Sequence, residues 1–285
     1  MRPFTGIGLM FLAMLVIPIS DGLIKLLSER YPILFLNWVR FVIGSIIFIP
    51  FALSVARSHT LLKTQVLALS MRTVLHVAAI SLYFLAIARV PLADALGAYF
   101  VAPLVASALA TILLGERITR ATIVALALGF VGAVTVVQPG GSTDVGMFYA
   151  IGSGIVFGIF LVLTRKASQT IPPVITLGFQ CGFGALLLLP VGYFLWSPVL
   201  WRDIALIVAA GGIWAAGHYA IIHAFKRTST TILAPLVYLE ILGGAGVGYV
   251  LFGHIPNAMT IAGISLIICA GLLVQGNTAT TISGT

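Results

Sequence analysis

Ten apolar runs, parted by short breaks, divide the chain at about 5–27, 33–56, 71–88, 92–114, 119–138, 145–165, 173–195, 204–224, 229–252 and 258–275. Each comes near the roughly 20 residues that carry a helix across a hydrocarbon layer about 30 Å thick. The pattern therefore predicts an all-α membrane protein of ten transmembrane helices. The breaks hold turn-forming residues, as at Tyr31-Pro32, Val90-Pro91, Pro139-Gly140-Gly141 and Ile171-Pro172-Pro173. From Asn277 to Thr285 the residues are small and polar, and a disordered tail is expected at 277–285.

The pattern repeats. Pro103–Thr119 is an apolar helix that stops at Gly115-Glu116-Arg117, and a new apolar run follows it. About 138 residues later Pro235-Leu236-Val237 opens a helix that closes at Leu251-Phe252-Gly253-His254. Gly115 aligns with Gly253, Arg89 with Arg227, and Val137-Gln138 with Val274-Gln275. Two copies of one five-helix unit are expected, at 1–140 and 141–276. Five helices is an odd number, so the second copy enters the membrane upside down, an architecture suited to alternating access.

Composition agrees. The chain is 60% hydrophobic and 8% charged, against about 25% charged residues in soluble domains. Ten spans fill 285 residues and leave no room for a soluble catalytic domain. The net charge of +8 reads as basic loops at an anionic leaflet rather than as a nucleic-acid surface. With both termini cytoplasmic, ten basic residues, Arg72 among them, fall on that side and four on the other, while Arg40 sits within a span. That bias sets both ends in the cytoplasm of an inner membrane. Cys181 and Cys269 lie in apolar runs without metal or disulfide spacing. Arg2 and the apolar run after it look like a signal peptide, but no small-x-small site follows, so the run is kept as the first span.

Ionisable side chains within spans are costly unless paired or wet, which makes each a functional candidate. Asp21 and Arg40 both lie roughly 9–11 Å below the outer surface at 1.5 Å per residue. They can pair, or Asp21 can pair with Lys25 one turn away. Glu240 falls near the midplane with no basic residue at its depth, the position of a proton-coupling site; the alternative is a neutral acid bonded to backbone or to Tyr238. His76 and His218 lie at similar depth near the cytoplasmic side, with no evident partner; no carboxylate stands at ligand spacing, so no metal site is expected. Asn37, Trp38, Tyr99, Gln180 and Trp214 complete the candidate cavity lining with Tyr238, as aromatic faces and amides suited to a metabolite. Gly244 and Gly248, spaced by four, are expected to pack against a neighbouring helix.

Several of these residues resemble those of EamA-type members of the drug/metabolite transporter superfamily. The match rests on Lys25 and Lys166 at the ends of helices one and six, on Pro32 and Pro172, on Arg40-Phe41, on Leu113–Thr119, and on Tyr238-Leu239-Glu240. It covers residues 5–275. The resemblance implies ten helices, a central cavity between the halves, and transport of small organic metabolites, amino acids among them. No cofactor is expected, and the protein is expected to be a monomer or weak homodimer. Three features depart from the family pattern. His254 replaces the second Glu, Ile241 stands where Pro is frequent, and Asp21 marks a subgroup. An intramembrane enzyme and a non-transporting assembly protein are the alternatives. The first would need a nucleophile–base pair or a metal cluster, and the second would tolerate loss of the buried polar groups.

Overall fold

A computed structural model describes residues 3–57, 61–87, 89–90, 92–138, 144–253, 255 and 257–283. Pro91, Pro139-Gly140-Gly141 and His254 lie outside them. The described residues contain helices and no strand: α1 (Pro3–Leu27), α2 (Ile33–Ala56), α3 (Lys63–Ile87), α4 (Leu92–Tyr99), α5 (Ala102–Leu114), α6 (Arg120–Val137), α7 (Val145–Thr170), α8 (Pro173–Leu187), α9 (Leu189–Phe194), α10 (Ile204–Arg227), α11 (Thr230–Leu233), α12 (Glu240–Phe252) and α13 (Ala258–Ser283). Short 3-10 helices occupy Trp201–Asp203 and Ala234–Leu239. Among the described residues eight helical stretches are long and apolar enough to cross a membrane, and two shorter apolar helices, Pro173–Leu187 and Ala258–Val274, accompany them.

The helix limits differ from the hydropathy pattern in informative places. The third helix starts at Lys63 rather than 71, which moves Arg72 from the expected cytoplasmic end of the span to the third turn of the helix, where it is fully buried. The count of basic residues by side places this guanidinium at the cytoplasmic surface; here it is turned toward other helices rather than toward lipid. The expected span 92–114 breaks between Tyr99 and Ala102, and the expected span 229–252 breaks through the 3-10 turn at Ala234–Leu239, just before Glu240. Pro103 and Pro235 lie next to these breaks, where a missing N–H weakens the helical ladder. Helix α7 runs on to Thr170, so Lys166 is not at its end. Helix α13 runs to Ser283, across most of the stretch expected to be a disordered tail.

The two halves correspond. α5 and α12 both end on a glycine in the left-handed region, Gly115 with φ 64° and Gly253 with φ 68°, which a side chain would strain. α1 packs on α10 and on α12; exchanging the halves turns these pairs into α7 on α3 and α7 on α5, which are also in contact. In the same way α2 on α10 exchanges with α8 on α3, and two further pairs join counterparts directly, α2 with α8 and α6 with α13. These counterparts run antiparallel. Gly178 meets Ala52 while Gly184 meets Phe41, and Gly132 meets Gly263 while Ala125 clusters with Ala270 and Val274. A Cβ on Gly132 would stand 2.7 Å from the Gly263 carbonyl oxygen, so only glycine permits this approach.

Polar clusters mark the two ends. At the end where the chain starts, the Glu116 carboxylate accepts from Arg165 Nε at 3.1 Å and from the Thr231 backbone N–H at 2.9 Å. Arg165 Nη1 also donates to the Phe225 carbonyl. At the opposite end Asp203 pairs with Arg30 at 3.1 Å and accepts from the Tyr31 hydroxyl at 2.8 Å.

Candidate functional site

Between the halves lies a cavity of about 730 Å3. Met10, Met14 and Leu161 lie on its inner wall, and it reaches the Asp203 end beside Lys25, Ser28 and Phe252. Seven predicted residues line it: Asp21, Arg40, His76, Tyr99, Trp214, His218 and Glu240.

Asp21 and Arg40 do pair. Arg40 Nη1 donates to Asp21 Oδ1 at 2.6 Å and to the Ser20 hydroxyl at 3.2 Å. Ser20 in turn donates to the Ala210 carbonyl at 2.8 Å, which ties α1 to α10. The arginine side chain is 9% exposed and that of Asp21 50%, so the carboxylate is the open member. The guanidinium lies 5.7 Å from the Trp214 ring centroid. Lys25 does not join Asp21; its Nζ sits 4.4 Å from the Phe252 ring centroid.

His76 and His218 prove to be partners. Their rings meet edge to face with centroids 4.9 Å apart, on α3 and α10. Both are buried, and among the described residues His76 Nδ1 and Nε2 and His218 Nδ1 have no hydrogen-bond partner. Phe160 lies 4.6 Å from His76 and Trp214 lies 4.6 Å from His218, centroid to centroid. Tyr99 belongs to a second aromatic wall, 5.5 Å from Tyr83 and 5.4 Å from Phe157. Among the described residues no group of three His, Cys, Asp or Glu side chains could hold a metal ion.

Glu240 opens α12 at the end of the 3-10 turn and faces the cavity. Among the described residues it makes no ion pair or hydrogen bond. Arg40 and Asp21 both lie within electrostatic reach of it and line the same cavity. Tyr238 is not its partner either, since the phenol donates to the Phe100 carbonyl at 3.2 Å and the ring is fully buried.

Four predicted residues lie elsewhere. Tyr238 packs in the core between α6 and the 3-10 turn. Trp38 donates Nε1 to the Ala185 carbonyl at 3.1 Å and lines a shallower apolar hollow of about 390 Å3 between α2 and α8. Asn37 and Gln180 are buried outside the cavity lining. The glycine expectation is also corrected. Gly243 makes the close approach, to the backbone of α1 at Met14, whereas Gly244 and Gly248 have open space and form cavity wall. Sequence reasoning missed Tyr83 as a lining residue. It stands seven positions after His76 on α3, and seven residues are two helical turns, so the pair forms one stripe.

These features define a class, the multi-pass helical membrane proteins built by duplication around a central cavity. The chain belongs to the EamA-like transporter family, matched over residues 4–138 and 144–275, and thus to the drug/metabolite transporter superfamily. It is 28% identical over 272 residues to a pseudopaline exporter of Pseudomonas aeruginosa, covering 93% of this chain and 94% of that one. It is 24% identical over 271 residues to an S-adenosylmethionine uptake transporter of Rickettsia felis, covering 95% and 92%. A crystal structure aligns over 99% of both chains with a TM-score of 0.78 and 17% identity, which shows the fold alone.

Proposed function

We propose that this protein is a secondary transporter that exports a small organic metabolite, an amino acid or a related compound, across the inner membrane by alternating access. The observation that carries the reading is the cavity between two exchangeable halves, which reaches the Asp203 end and stops short of the Glu116 cluster. In this reading the chain crosses the membrane ten times as two inverted five-helix repeats, and both termini are cytoplasmic. The antiparallel course of the counterpart helices supports the inversion, since an odd repeat needs it. The cavity then faces the outer side with the cytoplasmic side shut. Similarity to a pseudopaline exporter supports the outward direction.

Cavity chemistry supports a cargo with charged ends. Arg40, His76 and His218 offer donors, Glu240 offers a carboxylate with no ion-pair partner among the described residues, and Tyr83, Tyr99 and Phe157 offer flat faces. Glu240 also serves as the proton-coupling group, dry in one conformation and wet in the other. The test is flux of a mixed pool of radiolabelled amino acids and small metabolites through proteoliposomes, with and without a pH gradient. Accumulation that the gradient drives is the expected result. No protein-dependent flux of any member of the pool would overturn the reading.

A further inference from the structure

Arg72 has no place in the cavity as described, yet it is the largest fully buried side chain among the described residues. Its Nε donates to the Thr164 hydroxyl at 2.8 Å, and that hydroxyl donates to the Phe160 carbonyl at 2.7 Å. The guanidinium lies 4.7 Å from the Phe160 ring centroid. Nη1 and Nη2 donate to nothing among the described residues. A fork of two free donors on a permanent charge, deep in a membrane protein, is costly to keep and matches a carboxylate bidentately.

The pseudo-symmetry sharpens the contrast with Arg40. Arg40 bonds to α1, and Arg72 bonds to α7, which is the counterpart of α1. Arg40 has its carboxylate in Asp21, while Arg72 forms no ion pair among the described residues. The two arginines lie toward opposite ends of the molecule. Asp21 and Arg40 stand near the Asp203 end, whereas Thr164 precedes Arg165 of the Glu116 cluster by one residue. His76 sits one turn along α3 from Arg72, and both His76 and His218 are within electrostatic reach of the guanidinium. On α3 the open cavity stops at His76, with His218 beside it, and Arg72 lies one turn beyond, outside the lining.

We propose that Arg72 is an inner carboxylate-binding subsite on the transport path, exposed when the His76–His218 pair parts and the cavity extends toward the Glu116 end. The cargo then meets one buried arginine toward each end of the path, both carried by the first repeat: Arg40 on α2, already neutralised, near the outer mouth, and Arg72 on α3, unneutralised, at the cytoplasmic side where cargo is loaded. This rests on the carrier reading above and deepens it by naming a carboxylate as the group recognised at the cytoplasmic face.

Sidedness tests it. Uptake of the radiolabelled amino-acid pool is measured in inside-out and right-side-out vesicles carrying wild type, Arg72→Gln or Arg72→Lys. Arg72→Gln should raise KM at least tenfold at the cytoplasmic face and leave the outer-face KM within twofold, and Arg72→Lys should recover part of the loss. An equal change at both faces, or none, overturns the subsite. Should Arg72→Gln fail to fold, Thr164→Asp supplies a built-in carboxylate beside the guanidinium. It should raise the melting temperature and cut cytoplasmic-face uptake at least tenfold; a rise without the cut overturns the proposal. Should wild type take up none of the pool, the cargo reading fails separately. The subsite is then read by melting the purified protein with benzoate or benzamide. Stabilisation by benzoate alone, lost in Thr164→Asp, supports it, and equal effects of the two overturn it.

Discussion

Replacing Glu116 with glutamine probes what holds one end of the cavity shut. The carboxylate accepts from Arg165 Nε at 3.1 Å through one oxygen and from Thr231 N at 2.9 Å through the other. Arg165 continues to the Phe225 carbonyl, where Gln169 Nε2 also donates, at 3.2 Å. A single carboxylate thereby joins the loop after α5 to α7, to the end of α10 and to the start of α11. The side chains of Glu116 and Arg165 are 10% and 20% exposed, so solvent screening removes only part of the attraction. Hydrogen bonds to a charged group contribute about 1.5–3 kcal/mol each. Glutamine keeps one acceptor and loses the charge, so about 3 kcal/mol of the closure should go. At about 1.4 kcal/mol per tenfold, that shifts the ratio of shut to open by roughly a hundredfold. The second repeat carries His254 where the first has Glu116, so the carboxylate at this position is not repeated.

The assay is thiol labelling. In a chain with Cys181 and Cys269 replaced by alanine, Met10→Cys puts a thiol on the buried inner wall of the cavity. A membrane-impermeant maleimide applied at the Glu116 face should label it slowly, and at least tenfold faster once Glu116→Gln is added. Labelling at the outer face should slow correspondingly as the open-out population falls. Rates within twofold of the parent at both faces would refute the reasoning, because the cluster would then be surface decoration rather than a latch.

Three other outcomes are expected. Asp21→Asn alone should lower the melting temperature more than Asp21→Asn with Arg40→Gln, since a stranded buried charge costs about 3 kcal/mol or more; additive losses in the cycle would remove the coupling at 2.6 Å. Glu240→Gln should permit exchange of labelled cargo while abolishing the response to an imposed pH gradient, and full gradient-driven transport by this variant would make Glu240 structural. Single cysteines at Ser142 and Ser58, both outside the described residues, should label from the outer and the cytoplasmic side respectively; the reverse pattern would invert the topology.

Much of the fold was legible because its signals are local and one-dimensional. Runs of apolar residues specify helices wherever backbone groups must be satisfied without water, and the recurrence of Gly115 at Gly253 exposed the duplication before any contact was known. The pairing of Asp21 with Arg40 was readable for the same reason, since depth along two consecutive helices can be counted from a shared loop. What a residue faces is another matter, because the angle around a helix axis acquires meaning only when neighbours are placed. Tyr238 and Glu240 are two positions apart, yet packing buries one against α6 and turns the other into the cavity. Arg72 reads as a charge at the cytoplasmic end of a span and proves a fully buried guanidinium once α7 lies against α3. His76 and His218 are 142 residues apart, and no spacing rule joins them. Only the packing of α3, α7 and α10 brings their rings together, because side chains from different helices converge where the helices cross rather than where the sequence repeats.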